Sequence, residues 1–143
     1  MDIPVNYMAV GIAVLANFIL GWLWYGPIFG KAWAKEMGMD YNEKPQTSVM
    51  IQGMVLMIVG NFLMAYVLSH NIVAWSYVPG AAETADIGTM FMTAFFTWLG
   101  FYVPTHIGAT TWEKKSWKLT ILNLAYHLAT LFVAAAILMK MGN

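Results

Sequence analysis

Four apolar stretches, each on the scale of a bilayer crossing and separated by short polar connections, constrain this chain more than any other feature. They run Val5–Ile28, Val49–Ser69, Ile87–Val103 and Trp117–Met139. At about 1.5 Å of rise per residue, helices of this length suit a hydrocarbon core of roughly 30 Å, the shorter third one only with Tyr102 and its neighbours at the interface. The expectation is an all-α, integral membrane four-helix bundle in up-down order, forming one transmembrane domain over residues 1–143. With 60% hydrophobic and 10% charged residues among 143, the chain lies outside the range of soluble domains.

Charge usage removes several function classes. Seven Lys balance seven acids and there is no Arg, so no basic cluster exists to neutralise a row of phosphates and no nucleic acid is expected as a partner. Anionic ligands lose their bidentate clamp for the same reason. The absence of Cys excludes disulfides, thiolate nucleophiles and thiolate metal sites. Met1-Asp2-Ile3-Pro4 lacks the positive leading segment of a secretory signal, so the first apolar stretch is expected to stay in the mature protein.

Lys placement sets the expected orientation. Lys31, Lys35 and Lys44 lie in the first connection and Lys114, Lys115 and Lys118 in the third, against Lys140 alone at the far end. Both termini are therefore expected outside, with loops 29–48 and 104–116 cytoplasmic. Trp22, Tyr25, Trp33, Trp98, Trp112 and Trp117 are read as interface anchors along the inner edge. Phe29, Trp33 and Met37 recur at four-residue spacing before Gly38, which predicts a short interfacial helix over residues 28–37. Glu83, Thr84 and Asp86 suit the start of the third helix. Pro27 and Pro104 are read as the exits of the first and third helices.

The segment Trp22-Leu23-Trp24-Tyr25-Gly26-Pro27 resembles Trp98-Leu99-Gly100-Phe101-Tyr102-Val103-Pro104 once one residue is inserted, pairing Trp22 with Trp98. Two tandem helical hairpins would produce this pattern, and so would interface chemistry repeated at two helix ends.

A wider resemblance rests on two segments. Asn17-Phe18-Ile19-Leu20-Gly21-Trp22-Leu23-Trp24-Tyr25-Gly26-Pro27-Ile28-Phe29-Gly30-Lys31-Ala32-Trp33 lies near the front, and Trp117-Lys118-Leu119-Thr120-Ile121-Leu122-Asn123-Leu124-Ala125-Tyr126-His127-Leu128 near the end. Together they resemble the "domain of unknown function 1761" family. That resemblance implies a small four-span protein, mostly bacterial in occurrence, hence of the bacterial inner membrane. It brings no assigned activity and no catalytic residue.

Polar side chains inside apolar runs carry the remaining information, because in lipid they face partners or a cavity. Thr120, Asn123, His127, Thr130 and Ala134 form one stripe on the fourth span, and Thr89, Thr93, Thr97 and Gly100 another on the third. Gly53, Gly60 and Asn61 on the second, with Ala9, Ala13, Ala16 and Asn17 on the first, are expected to face them in the bundle centre. Asn17, Asn61, Thr97, Asn123 and His127 are the candidate ligand or interhelical polar cluster. His127 near mid-membrane either passes protons or binds a ligand, or stays neutral and bonds Asn17, Asn61 or Asn123 to lock helices together.

No metal or cofactor is expected. His70 at the outer edge, His106 at the inner edge and His127 midway are read as too far apart to converge. The pairs Met37/Met39, Met90/Met92 and Met139/Met141 point in nearly opposite directions on a helix. All six carboxylates beyond Asp2 fall in connections, and no nucleophile-and-base spacing is legible, so no catalytic residue is assigned. The leading expectation is a non-catalytic membrane protein with a structural, accessory or self-associating role. Its partners would be membrane lipids and either further copies of itself or a larger membrane complex. The alternatives are an oligomeric module passing a small solute or protons, lined by mid-membrane Asn, His and Thr, and a small enzyme with a cytoplasmic-face site.

Overall fold

Without water to satisfy backbone amides, each apolar stretch becomes a helix whose hydrogen bonds close within the segment. The computed structural model describes residues 3–80 and 86–142. Its elements are α1 (Tyr7–Leu23), a π turn (Trp24–Ile28), α2 (Gly30–Glu36), α3 (Thr47–Ser76), α4 (Asp86–Thr97), a second π turn (Trp98–Tyr102), α5 (Val103–Trp112) and α6 (Trp117–Met141). Four continuous helical stretches are long and apolar enough to cross a membrane: Tyr7–Ile28, Thr47–Ser76, Ile87–Trp112 and Trp117–Met141. This is an all-α membrane bundle. Glu83 and Thr84, read as the lead-in to the third helix, lie outside the described residues.

Side-chain caps fix where the outer helices start. Asn6 Oδ1 accepts from the backbone N–H of Met8 (3.1 Å) and Ala9 (3.2 Å) at the head of α1. Its Nδ2 donates to Met141 O at 2.6 Å, tying the start of α1 to the end of α6. At the opposite end, Ser116 caps α6 by accepting from Leu119 N–H at 3.1 Å and donates to Glu36 Oε2 at 2.6 Å. Helices α1 and α6 therefore run antiparallel.

Helix α6 is the hub, packing on α1, on α3 and on the α4–α5 stretch, while α1 also packs on α3 and α3 on α4. A cluster of buried side chains gathers toward one end. Ala9, Val10 and Ala13 of α1 meet Ala65 and Leu68 of α3, Ala94 of α4, and Leu131, Ala134, Ala135 and Leu138 of α6. Such small side chains let helices approach closely, and dispersion between them replaces the hydrophobic drive that lipid cannot supply. At the other end the first half of α3 stands away from the bundle: nearly every residue from 47 to 60 is exposed. Gly53 and Gly60, expected at the bundle centre, are exposed, as is Gly100. Small residues permit close approach without enforcing it.

The third crossing departs most from the sequence reading. Its helix does not end at Pro104 but continues to Trp112, so the connection expected over 104–116 shrinks to 113–116. The π turn explains why. Its wider hydrogen-bonding ring absorbs one extra residue, and Pro104, which has no N–H to lose, sits in the first turn of α5. Pro27 lies inside the first π turn, where Phe29 N–H reaches back five residues to Trp24 O at 2.8 Å. The chain then breaks at Phe29, and α2 turns aside with Gly30 and Ala34 buried. Because the π turns open on Trp24 and Trp98, the local equivalence between the two crossings runs through Trp24, two residues from the alignment on Trp22.

Candidate functional site

The open end of the bundle gathers aromatic and polar side chains around α6. A cavity of about 280 Å³ lies between α3 and α6, lined by Asn61, Met57 and Met64 on one side and Tyr102, Tyr126 and His127 on the other. Gly60 and Thr130 complete its wall. No Asp, Glu or Lys stands in this lining. The arrangement supplies hydroxyl, amide and imidazole groups to a guest beside two thioethers, with no fixed charge.

His127 is held in an aromatic nest. Its ring centre lies 4.8 Å from that of Tyr102, 5.0 Å from His106 and 5.2 Å from Tyr126. This overturns the reading that His106 lies out of reach of His127. Since the third crossing runs on through Pro104, His106 lies one turn beyond Tyr102 within the same crossing. Its Nδ1 is 2.9 Å from Tyr102 O, and since a carbonyl only accepts, Nδ1 is the donor of that bond, which leaves Nε2 directed elsewhere. Further along, the Thr110 and Thr120 hydroxyls meet across α5 and α6.

The other sequence candidates divide. Asn61 and His127 share the cavity wall. Asn17 is fully buried and donates through Nδ2 to Thr130 O at 3.2 Å, with its Oδ1 left unpartnered. Asn123 accepts from the Tyr25 hydroxyl at 2.8 Å. Thr97 is half-buried on α4 and stands outside the cavity lining.

The aromatic anchors divide as well. Trp22, Trp112 and Trp117 are 66%, 85% and 60% exposed, as side chains facing lipid or its boundary would be. Trp98 instead turns inward and donates from Nε1 to Leu124 O at 2.8 Å. Tyr25 packs edge-on against Tyr126 at 4.9 Å and against Trp33 at 5.8 Å. Tyr102, Tyr126, Met57, Met64 and His106 were missed by sequence reasoning. The four-residue spacing of Tyr102 and His106 was the available signal, hidden by reading Pro104 as a helix end.

Among the described residues, no three His, Asp or Glu side chains gather to hold a metal ion. Fold and site together define a polytopic α-helical membrane protein with a cavity inside its bundle. The family model described as "Protein of unknown function (DUF1761)" matches residues 8–139, and the chain belongs to that family. No curated protein and no solved structure matches it.

Proposed function

We propose that this is a non-enzymatic integral membrane protein that receives a small, uncharged polar molecule in the cavity between α3 and α6. The observation that carries the reading is the wall itself: Asn61, Tyr102, Tyr126 and His127 offer hydrogen bonds around about 280 Å³ that no charged side chain lines. A hard ion, which imidazole and thioether hold poorly, has no counter-charge in this setting, and desolvating it is far more costly than desolvating a neutral polar group. Met57 and Met64 add adaptable apolar contact. Release of the guest on either side would make the protein a permeation module.

Solute flux tests this. Proteoliposomes carrying the full chain are expected to equilibrate urea or glycerol faster than empty vesicles in a light-scattering assay. Asn61→Leu and His127→Leu should return the rate to that of empty vesicles while the protein still reconstitutes. Equal rates for wild type and empty vesicles, or variants as fast as wild type, would remove the reading.

The proposed setting is a bacterial inner membrane with both termini outside, supported by six Lys on one side against Lys140 on the other. Cysteine at position 76 should react with an impermeant thiol reagent from outside, and cysteine at position 116 should not; the reverse labelling would invert the topology. A second reading, pairing of two copies along α3, is favoured by the exposed first half of that helix, where Gly53 and Gly60 have open space above them. Cysteine at position 53 should then cross-link between copies in membranes, and a purely monomeric product would exclude that pairing.

A further inference from the structure

His106 and His127 come from different helices, separated by twenty residues of chain and a turn, yet their rings stand 5.0 Å apart, centre to centre. A metal bonded at about 2 Å to one nitrogen of each ring would lie about 3 Å from each centre, so a 5.0 Å separation is short enough for one ion to bridge the two rings. The His106 hydrogen bond from Nδ1 to Tyr102 O does what a metal-binding imidazole needs: it fixes the ring and leaves Nε2 free to donate its lone pair. His127 lines the same cavity as Met57 and Met64, whose thioether sulfurs are soft ligands.

The ligand set also selects the ion. Imidazole and thioether are neutral, no Cys exists in the chain, and no cluster of three His, Asp or Glu forms among the described residues. A divalent ion would keep its whole double charge inside an apolar bundle, whereas a soft monovalent ion brings the smallest charge to be desolvated. Two imidazoles with thioether support match copper(I) in softness and coordination number, and they match zinc poorly. We propose that His106 and His127, with Met57 and Met64 as thioether partners, form an intramembrane copper(I) site for which silver(I) serves as a redox-inert probe. The proposal goes beyond solute binding and does not depend on it, since metal affinity and solute flux are read separately.

Silver(I) titration of the full chain in detergent is the test, followed by calorimetry and by the ring-nitrogen NMR signals of ¹⁵N-histidine-labelled protein. The expected result is one silver(I) per chain, undiminished by excess zinc(II). The ring nitrogens of His106 and His127 should shift, and those of His70, which is held on Tyr66 O elsewhere in the bundle, should not. His106→Ala and His127→Ala should each weaken binding more than about tenfold, with helicity retained by circular dichroism. The double change Met57→Leu with Met64→Leu keeps side-chain volume and should weaken binding while the protein stays folded. His70→Ala should bind as wild type does. Absence of stoichiometric binding by wild type, or shifts spread equally over all three His, would overturn the site. Unchanged affinity in the Met57/Met64 variant would remove the thioethers from it.

Discussion

Where α1 begins and α6 ends, Ala9, Ala13, Ala134 and Ala135 bring the helices together around Leu68 and Leu131, and nothing large intervenes. Where α1 ends and α6 begins, Trp24, Tyr25, Tyr126, His127 and Tyr102 fill the same inter-helix space and leave a cavity beside α3. The first end is dry and close-packed. The second holds rings, the unpartnered indole nitrogen of Trp24 and both π turns. One end packs small side chains and the other gathers rings and polar groups, and the division runs along the long helices instead of between them.

Truncating the dry end should break this comparison most visibly. Leu131→Ala, at a fully buried position, is expected to destabilise the protein by about 2–5 kcal/mol, whereas Leu56→Ala on the exposed half of α3 should cost about 0.5 kcal/mol or less. Denaturant titration in mixed micelles reads both. Equal losses would mean that the splayed half of α3 is packed in the membrane.

Glycines sharpen the contrast. A Cβ on Gly21 would run into the Met57 methyl group and lie 2.8 Å from the Tyr126 hydroxyl, so Gly21→Ala should cost about 1–3 kcal/mol. Gly53 has nothing within 4 Å, and Gly53→Ala should be neutral or stabilise by up to about 1 kcal/mol through helix propensity. Thermal unfolding of the two variants side by side distinguishes them.

Buried polar groups give the next effect. Asn17→Leu removes the donor to Thr130 O and is expected to cost about 1 kcal/mol. Thr93→Val, whose hydroxyl is buried without a partner, should be neutral or slightly stabilising. The smallest change is expected from Tyr25→Phe, which loses the bond to Asn123 and about 0.5–1 kcal/mol at the half-buried aromatic end. A loss there as large as that of Leu131→Ala would show that the open end also carries the fold.

The four crossings were legible because about twenty consecutive apolar residues have few other fates. The polar wall was legible in part, since Asn61 and His127 stand out against the apolar residues around them. Other features followed from tertiary geometry that local rules do not contain. Pro104 reads as a helix end, yet a π turn just before it carries the helix on, and with it His106. Tyr102 reads as an interface residue because an aromatic ring with a hydroxyl suits a headgroup and a cavity equally well. Gly53 and Gly60 read as contact points, but the first half of α3 diverges from the bundle before such contacts can form, and Gly100 is exposed on the third crossing.

Each π turn amounts to one residue inserted into an otherwise regular helix, and the insertion shifts the phase of everything after it. Wound as a regular α-helix with no residue removed, the third crossing would present Val103–Trp112 rotated by about 100° relative to α4. His106 would then point away from His127 although neither histidine had changed. The pairing of the two imidazoles is thus a matter of arithmetic along the chain: it depends on one surplus residue being taken up at Trp98–Tyr102 before the helix goes on.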